Sequence, residues 1–429
     1  MAARTPQSLT VRTYDVGFGD CFLLTFHYAT RDRHVLIDFG SMRIPKGKFA
    51  DGKEITRRYM QRIAEEIAND CGNQLDVIVA THRHQDHISG FARSNGNGPG
   101  EIIRGLNPRL VIQPWTEDPT AATDATAPTR KAYIGTLTDM QAVAEQLAAA
   151  SKSLRGKRFK ALRAELEAIG LDNISNRDAV ENLQTMAPNR FVYHGRSAGL
   201  GRILPGVRVT VLGPPTVEQT DSILKQRSSD ADEFWHLNAT FWNRLASTGR
   251  RQVEKTPTLF EDYATSVLPR SAGWFKYTVQ RERAESLLSI VRTLDNAMNN
   301  TSVILLFEIN GKSILFPGDA QYENWMYALS KPKIVAKLAS VDLYKVGHHG
   351  SLNATPKTLW NSFTQKGGAG QADRLKTLLS TKEGVHGSVD RSTEVPRSAL
   401  VNALEQSSTL TNTQDFGADE LSRSVTIAL

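Results

Sequence analysis

The 429-residue chain is 40% hydrophobic and 23% charged, which is typical of a folded globular protein and excludes a disordered or fibrous one. Its two cysteines, Cys21 and Cys71, exclude a disulfide framework and a cysteine-based zinc site, so any metal must be bound by histidine and carboxylate groups. The net charge of +7 permits phosphate-rich partners but does not identify one.

The first 80 residues predict strands, a helix and a further strand. A hairpin turn at Gly17–Asp20 joins the first two strands, and the third strand runs into Asp38. Apolar residues then recur at helical spacing from 55 to 68. The strand patterns cover residues 9–14, 21–27, 34–37 and 75–80. The last of these segments, 75–80, is short and rich in β-branched residues, as expected of a buried strand.

The middle of the chain differs in character from its two ends. We predict a core in two halves, residues 1–115 and 301–429, separated by a mostly helical insertion over 116–300. Within the insertion, a helical stretch at 136–169 carries a basic run, and 207–212 looks like a core strand returning to the sheet. Strands resume at 302–309 and 313–316, joined by the hairpin signal Asn310-Gly311.

Half of the histidines fall in two tight groups, and the first group directly follows the strand at 75–80. It is the segment Thr81-His82-Arg83-His84-Gln85-Asp86-His87. In an extended loop, His82 and His84 point the same way and can bind one metal. Asp86 and His87 turn into the next helix and can reach a second metal, about 3.5–4 Å from the first.

Other polar residues also follow predicted strands. Asp319 follows the strand at 313–316 through a Gly turn and is placed to bridge or complete a pair of metals. By itself a Gly-Asp pair usually marks only a turn, and Asp38 likewise suits a turn or a position behind the ligands. The pair His348-His349 follows the strand Leu343–Val346 and would complete the ligand set.

The order of these motifs resembles the metallo-β-lactamase superfamily, and more narrowly the branch that contains the ComEC-type competence hydrolase domain. The segments that carry the resemblance are Asp15–Asp20, Leu36–Gly40, His82–His87, Phe316–Asp319 and His348–Ser351. It covers residues from about 9 to 112 and from 300 to 405, and the insertion is unmatched. It implies an α/β fold, an αββα sandwich with metal loops along one edge.

The resemblance also implies ligand roles. The metal ligands would be His82, His84, Asp86, His87, Asp319 and His349. The cofactors would be two divalent ions, zinc being expected and manganese the alternative. Asp86 and His348 would be catalytic, with His348 facing the substrate or transferring a proton. The resemblance assigns the last ligand role to one of His348 and His349, and we favour His349. The segment Asn299–Val303 occupies the place where other members supply a further histidine.

Three other histidines are weaker candidates for the site. His194 and His236 lie in the insertion, where packing or surface roles are the more common for a lone histidine. His386 falls where the branch carries a His-Pro segment, but Gly387 stands in place of the proline. We expect His386 to lie at most behind the ligands.

Three functions remain open from the sequence. The first is hydrolysis of a phosphodiester, DNA or a nucleotide, by a metal-bridging hydroxide, with Asp86 orienting the nucleophile. The second keeps the site but cleaves a thioester, lactone or amide, because the fold alone does not select the bond. The third is a protein- or nucleic-acid-binding module with a structural metal, using the insertion and its tryptophans. These are Trp235, Trp242 and Trp274.

Membrane association is not expected. The longest apolar runs, such as Val303–Phe307, are far shorter than the roughly 20 residues of a spanning helix. The first residues lack the apolar core of a secretory signal, so a cytoplasmic location is expected.

The insertion's basic run, between Lys152 and Arg163, is interleaved with apolar residues, which favours a solvated helix face over a nucleic-acid site.

Overall fold

A computed structural model describes most of the two predicted core halves. The described residues are 5–50, 52, 54–56, 58–94, 96–118, 177–216, 219–220, 299–351, 354–385 and 394–429. The chain divides into two units, and all of these residues belong to the one formed by 1–130, 175–224 and 298–429. The predicted helix at 136–169 and its basic run lie outside the described residues. So do His236, His386 and the three tryptophans of the insertion.

The described strands form two mixed sheets. In chain order they are β1 (Ser8–Tyr14), β2 (Cys21–His27), β3 (Arg33–Phe39), β4 (Val77–Val79), β5 (Leu110–Pro114), β6 (Asn189–Val192), β7 (Arg208–Gly213), β8 (Ile304–Ile309), β9 (Lys312–Phe316), β10 (Leu343–Lys345), β11 (Lys376–Leu379), β12 (Thr409–Asn412) and β13 (Ser422–Ala428). The first sheet has the order β13-β1-β2-β3-β4-β5-β6 and the second β12-β11-β10-β9-β8-β7.

The described helices flank these sheets. They are α1 (Tyr59–Asp70), α2 (Gln85–Ile88), α3 (Pro99–Gly105), α4 (Arg177–Met186), α5 (Tyr322–Leu329), α6 (Pro332–Ala339), α7 (Lys357–Ser362) and α8 (Ser398–Ser407). Within the described residues, no helix is both long and apolar enough to cross a membrane. The α/β class predicted from the sequence is confirmed.

Alternation along the strands sorts the apolar side chains into separate cores. In β2, Phe22 and Phe26 face the second sheet, where they meet the rings of Phe316 and Phe307 at 5.5 and 6.1 Å. Leu23 of the same strand packs on the opposite face with α1 and α3. A third core joins the outer face of the second sheet to α5, α6, α7 and α8. Because successive side chains point to opposite faces, each sheet buries both of its faces.

The carboxyl ends of several strands meet at one rim. Strands β3 and β4 are parallel in the first sheet, and β9, β10 and β11 are parallel in the second. The turn between β1 and β2 joins the same rim, because Cys21 pairs with Phe39 at the end of β3. Loops leaving these strands therefore lie together. The six predicted metal ligands and His348 all lie in segments that leave these strand ends, Asp86 and His87 on the short helix α2 and the others on loops.

Some boundaries differ from the sequence expectation. The helix expected from residue 55 begins at Tyr59, because Ile55 N donates to Gly47 O and Glu54 bridges Lys48 in extended structure. The Asn310-Gly311 hairpin forms as predicted, with φ values of 48° and 81°. Within the segment predicted as an insertion, α4, β6 and β7 belong to the described unit, and β7 pairs with β8.

Candidate metal centre

The His82–His87 segment changes from extended chain to helix at His84. His84 has φ −59° and ψ 151°, and α2 begins at the next residue. The extended stretch brings His82 Nε2 to 3.0 Å from His84 Nδ1, as its alternation predicts. Asp86 and His87 lie one turn further, on α2, and both are buried. One short segment thus supplies two separate groups of polar atoms.

Four buried side chains bring their ligand atoms together at the rim. They are Asp86, His87, Asp319 and His349, with one ligand atom from each lying within 4.8 Å of the others. Asp319 Oδ2 is 3.0 Å from His87 Nε2 and 3.5 Å from His349 Nε2. Asp86 Oδ2 is 2.8 Å from the same nitrogen of His349. These groups could hold a metal ion.

The other histidines considered for the site, His82, His84, His348 and His194, differ in how closely they approach these four residues. The ring of His82 is 4.2 Å from that of His87, centroid to centroid, so the His82–His84 pair adjoins the four. His348 is half-buried and contacts the group through its backbone, where its N–H donates to Asp319 Oδ1 at 3.0 Å. His194 contacts other parts of the fold: its Nδ1 donates to Leu212 O at 2.8 Å, and its ring packs on Tyr327.

Two hydrogen bonds fix the ring orientations of His87 and His349, so that the Nε2 atom of each points toward Asp86 and Asp319. Asp38 Oδ2 accepts from His87 Nδ1 at 2.8 Å, and Ser380 O accepts from His349 Nδ1 at 3.0 Å. Both oxygens can only accept, so each Nδ1 carries a proton and each Nε2 points toward the carboxylates. Thr81 holds Asp38 in turn, through its N–H and its hydroxyl, both at 2.7 Å.

The backbone around the site is unusual. Asp38, His348 and His349 have φ values of 54°, 45° and 50°, in the left-handed region that non-glycine residues rarely adopt. Such conformations cost of order 1–3 kcal/mol each and cluster at functional sites. Gly40 has no room for a side chain, since a Cβ there would lie 2.4 Å from His87 N. The loops are therefore packed backbone to backbone.

The charges of the four residues depend on one another. Burial alone would lower the pKa of His87, but Asp319, Asp86 and Asp38 raise it well above its ordinary value. Burial would likewise lower the pKa of His349, and Asp319 and Asp20 raise it. Without an ion, protons on these imidazoles therefore balance the carboxylates. A divalent ion is the natural replacement for such protons.

The other histidine group has the opposite electrostatic tendency. Burial and the neighbouring imidazoles of His87 and His84 hold the pKa of His82 well below its usual range. His82 is therefore neutral at physiological pH. A neutral imidazole has a lone pair ready for a metal, so His82 has no proton to lose before it binds one.

Arg83, between the two histidines, anchors the loop from the other side. Its Nε and one terminal nitrogen donate to the two oxygens of Glu117, at 2.8 and 2.7 Å. The side chain of Glu117 is only 3% exposed. Such a two-point contact fixes direction as well as distance, so it restrains the backbone that carries His82 and His84.

The Asn299–Val303 segment lies against the same loop and contains no histidine. Val303 N donates to Thr81 O at 2.9 Å, and Ser302 Oγ accepts from Asp319 N at 3.2 Å. Asn300 is buried and donates to Glu323. The segment therefore packs the loops of the two sheets together through polar contacts.

Sequence reasoning did not assign a role to two buried charged residues, Asp20 and Lys345. Lys345 Nζ contacts Asp20 Oδ2 and lies 3.4 Å from Asp319 Oδ1. Burial would lower the pKa of Lys345, but Asp20 and Asp319 raise it, so the ammonium stays charged. The sequence could have indicated this ion pair, because Lys345 lies inside the apolar strand pattern Leu343–Val346 and lysine is almost never fully buried unless it is paired.

The donor set fits a divalent transition metal. Two imidazoles and two carboxylates are ligand types that zinc and manganese accept. Within the described part of the chain, the buried Asp86 Oδ1 accepts no hydrogen bond, which is costly for a carboxylate oxygen unless a cation satisfies it. No protein-family model matches the chain, and a search of the curated proteins finds no significant match.

Proposed function

We propose that the protein is a metallo-β-lactamase-fold hydrolase that binds two divalent ions and cleaves phosphodiesters. The observation that carries this proposal is the convergence of Asp86, His87, Asp319 and His349 within 4.8 Å. Two sheets with helices on both outer faces, and metal-binding residues on one rim, are consistent with that fold. Zinc is the expected metal and manganese the alternative.

The two ions would have different protein ligands. Asp86, His87 and His349 would hold one, and His82 and His84 the other, with Asp319 between them as the bridging carboxylate. Because the Asn299–Val303 segment offers no histidine, the His82–His84 ion would have fewer strong protein ligands. It would therefore bind more weakly and exchange first.

Charge favours an anionic substrate. Asp20, Asp38, Asp86 and Asp319 carry four negative charges when ionised, and Lys345 carries one positive charge. Two divalent ions would change the net charge of this buried cluster from about −3 to about +1, and to about 0 with a bound hydroxide, counting the imidazoles as neutral. The site would then accept a phosphodiester anion, which the carboxylates alone would repel.

Bound ions would lower the pKa of a coordinated water and neutralise charge that develops on the phosphoryl oxygens. The chain's own residues would orient the reactants. Asp86, besides binding metal, can accept a hydrogen bond from the attacking water and orient it toward phosphorus. His348, half-buried beside His349, can donate a proton to the leaving oxygen.

The test is metal content measured together with cleavage of bis(p-nitrophenyl) phosphate and of single- and double-stranded DNA. We expect the wild type to bind zinc or manganese and to cleave at least one of these, and Asp86→Ala to lose both properties. Asp373→Ala is the matched control, because the Asp373 side chain is 77% exposed. Metal-loaded protein that leaves all phosphodiesters intact would contradict the proposal, and cleavage of a thioester, lactone or amide instead would favour the second function.

A further inference from the structure

Lys345 is a buried cation within the candidate metal centre. Its side chain is 1% exposed, and its Nζ contacts Asp20 Oδ2. The same Nζ donates to Gly318 O at 3.2 Å and to Asp319 Oδ1 at 3.4 Å. Removing an ammonium group from water is costly, so a lysine retained here has its charge matched by these oxygens.

The contacts of Asp319 divide its two oxygens between different partners. Oδ1 faces Lys345 Nζ at 3.4 Å and accepts from His348 N at 3.0 Å. Oδ2 faces His87 Nε2 at 3.0 Å and His349 Nε2 at 3.5 Å. Lys345 and the His348 backbone therefore hold one oxygen and turn the other toward the ligand nitrogens.

Asp20 belongs to a second group whose geometry also suits a metal ion. Its partners there are Asp38 and His87, with ligand atoms within 4.8 Å. His87 is common to both groups, facing Asp38 through Nδ1 and Asp319 through Nε2. The Lys345 ammonium already contacts Asp20, so a positive charge is present at this second group. A divalent ion there would be repelled by it.

We propose that Lys345 is a positioning residue of the metal centre, a built-in cation that fixes Asp319 for metal binding and keeps Asp20 out of the ligand set. This inference rests on the proposed function, because it assumes that Asp319 binds an ion. Lys345 does not contact the substrate in this role. It affects where the ion binds and how tightly the ion is held.

A simpler role would be to neutralise Asp20 and nothing more. The two roles differ in what happens when Asp20 loses its charge as well. If Lys345 only neutralises Asp20, then Lys345→Met should be harmless in an Asp20→Asn background. If Lys345 fixes Asp319, the double variant should recover stability but not metal affinity.

The experiment compares Asp20→Asn with Asp20→Asn/Lys345→Met in the full chain after treatment with a chelator. Zinc and manganese binding is measured by titration calorimetry, and thermal unfolding is followed in parallel. We expect the double variant to unfold at about the same temperature as Asp20→Asn but to bind metal about 10–100-fold more weakly, the usual effect of removing a residue that orients a ligand. Equal affinities would overturn the proposal.

Other outcomes separate this inference from the proposed function. Wild type that binds metal but hydrolyses no substrate, with weakened metal binding in the double variant, would remove the hydrolase function and keep the role of Lys345. Wild type that binds no metal would overturn both. Lys345→Met alone leaves the carboxylates of Asp20 and Asp319 uncompensated and is expected to fold poorly. Lys345 is therefore replaced only together with Asp20, so that one negative and one positive charge are removed at the same time.

Discussion

Asp86 Oδ2 lies 2.8 Å from His349 Nε2, although 263 residues separate the two along the chain. Asp86 is on α2 beside the first sheet, and His349 follows β10 of the second sheet. The contact therefore joins the two predicted core halves. Metal binding at this point would stabilise their association, because an ion that binds only the folded chain shifts the folding equilibrium toward it.

The two adjacent histidines are expected to differ in function. His349→Ala should remove a ligand, so the protein should lose metal and activity together. His348→Ala should keep its metal, since it is the backbone N–H of His348 that contacts Asp319, and should lower kcat by about 100-fold or more as a lost general acid. Metal analysis and steady-state kinetics of both variants check this. Equal metal loss in the two variants would refute the assignment.

Asp38 is expected to act through His87. Asp38→Asn keeps the shape of the side chain and tolerates the φ of 54°, so the backbone should not change. Losing the carboxylate weakens the orientation of His87, and metal affinity should fall about 10–100-fold. Metal titration of Asp38→Asn beside the exposed-site control Asp373→Asn measures the effect. Equal metal affinities of Asp38→Asn and Asp373→Asn would show that Asp38 does not orient a ligand.

Metal binding should depend on pH. The pKa values of His87 and His349 are raised from 6.5 when no ion is bound, so an ion must displace protons that these imidazoles hold. Affinity should therefore rise as the pH rises above about 6.5. Calorimetry in buffers of different ionisation enthalpy should detect proton release. Affinity that does not change between about pH 6 and pH 8, with no proton release, would contradict this.

The same shifts predict how the chelator-treated protein responds to pH. A raised folded pKa gives stability that is fully present below the unfolded value of 6.5 and is lost as the pH rises through the folded pKa. The metal-free protein should thus unfold at lower temperature as the pH is raised above 6.5. Thermal scans with and without zinc should show the stabilisation by metal growing over the same range.

Gly40 should be sensitive to the smallest substitution. A Cβ at this position would lie 2.4 Å from His87 N and 2.5 Å from Asp86 C, so Gly40→Ala must push α2 away from β3. We expect the free energy of unfolding to fall by about 1–3 kcal/mol, the usual cost of overpacking, and metal affinity to fall with it. Gly368→Ala is the control, because no atom lies within 4 Å of its Cβ position.

Local patterns predicted much of the first half of the fold and the composition of the site. Alternation identified β1, β2 and β3, and the spacing of His82, His84, Asp86 and His87 identified the candidate metal-binding segment from the amino-acid sequence alone. These features depend on residues close in sequence. Local side-chain periodicity is therefore enough to show them.

Features that depend on distant residues could not be predicted in the same way. Pairing of β13 with β1, at opposite ends of the chain, has no local signal. The hydrogen bond from His349 Nδ1 to Ser380 O involves a backbone carbonyl, which every residue has. Lys345 was visible as a polar residue in an apolar strand, but its partner Asp20 lies in the β1–β2 turn, and only the packing of the two sheets brings them together.

The most direct test of the metal centre is anomalous diffraction from crystals of the full chain grown with zinc or manganese, recorded at the absorption edge of the metal. We expect one peak among Asp86, His87, Asp319 and His349, and a second, weaker peak beside His82 and His84, about 3.5–4 Å away. Absence of any anomalous peak at His87 and His349 in metal-saturated crystals would contradict the metal-centre assignment.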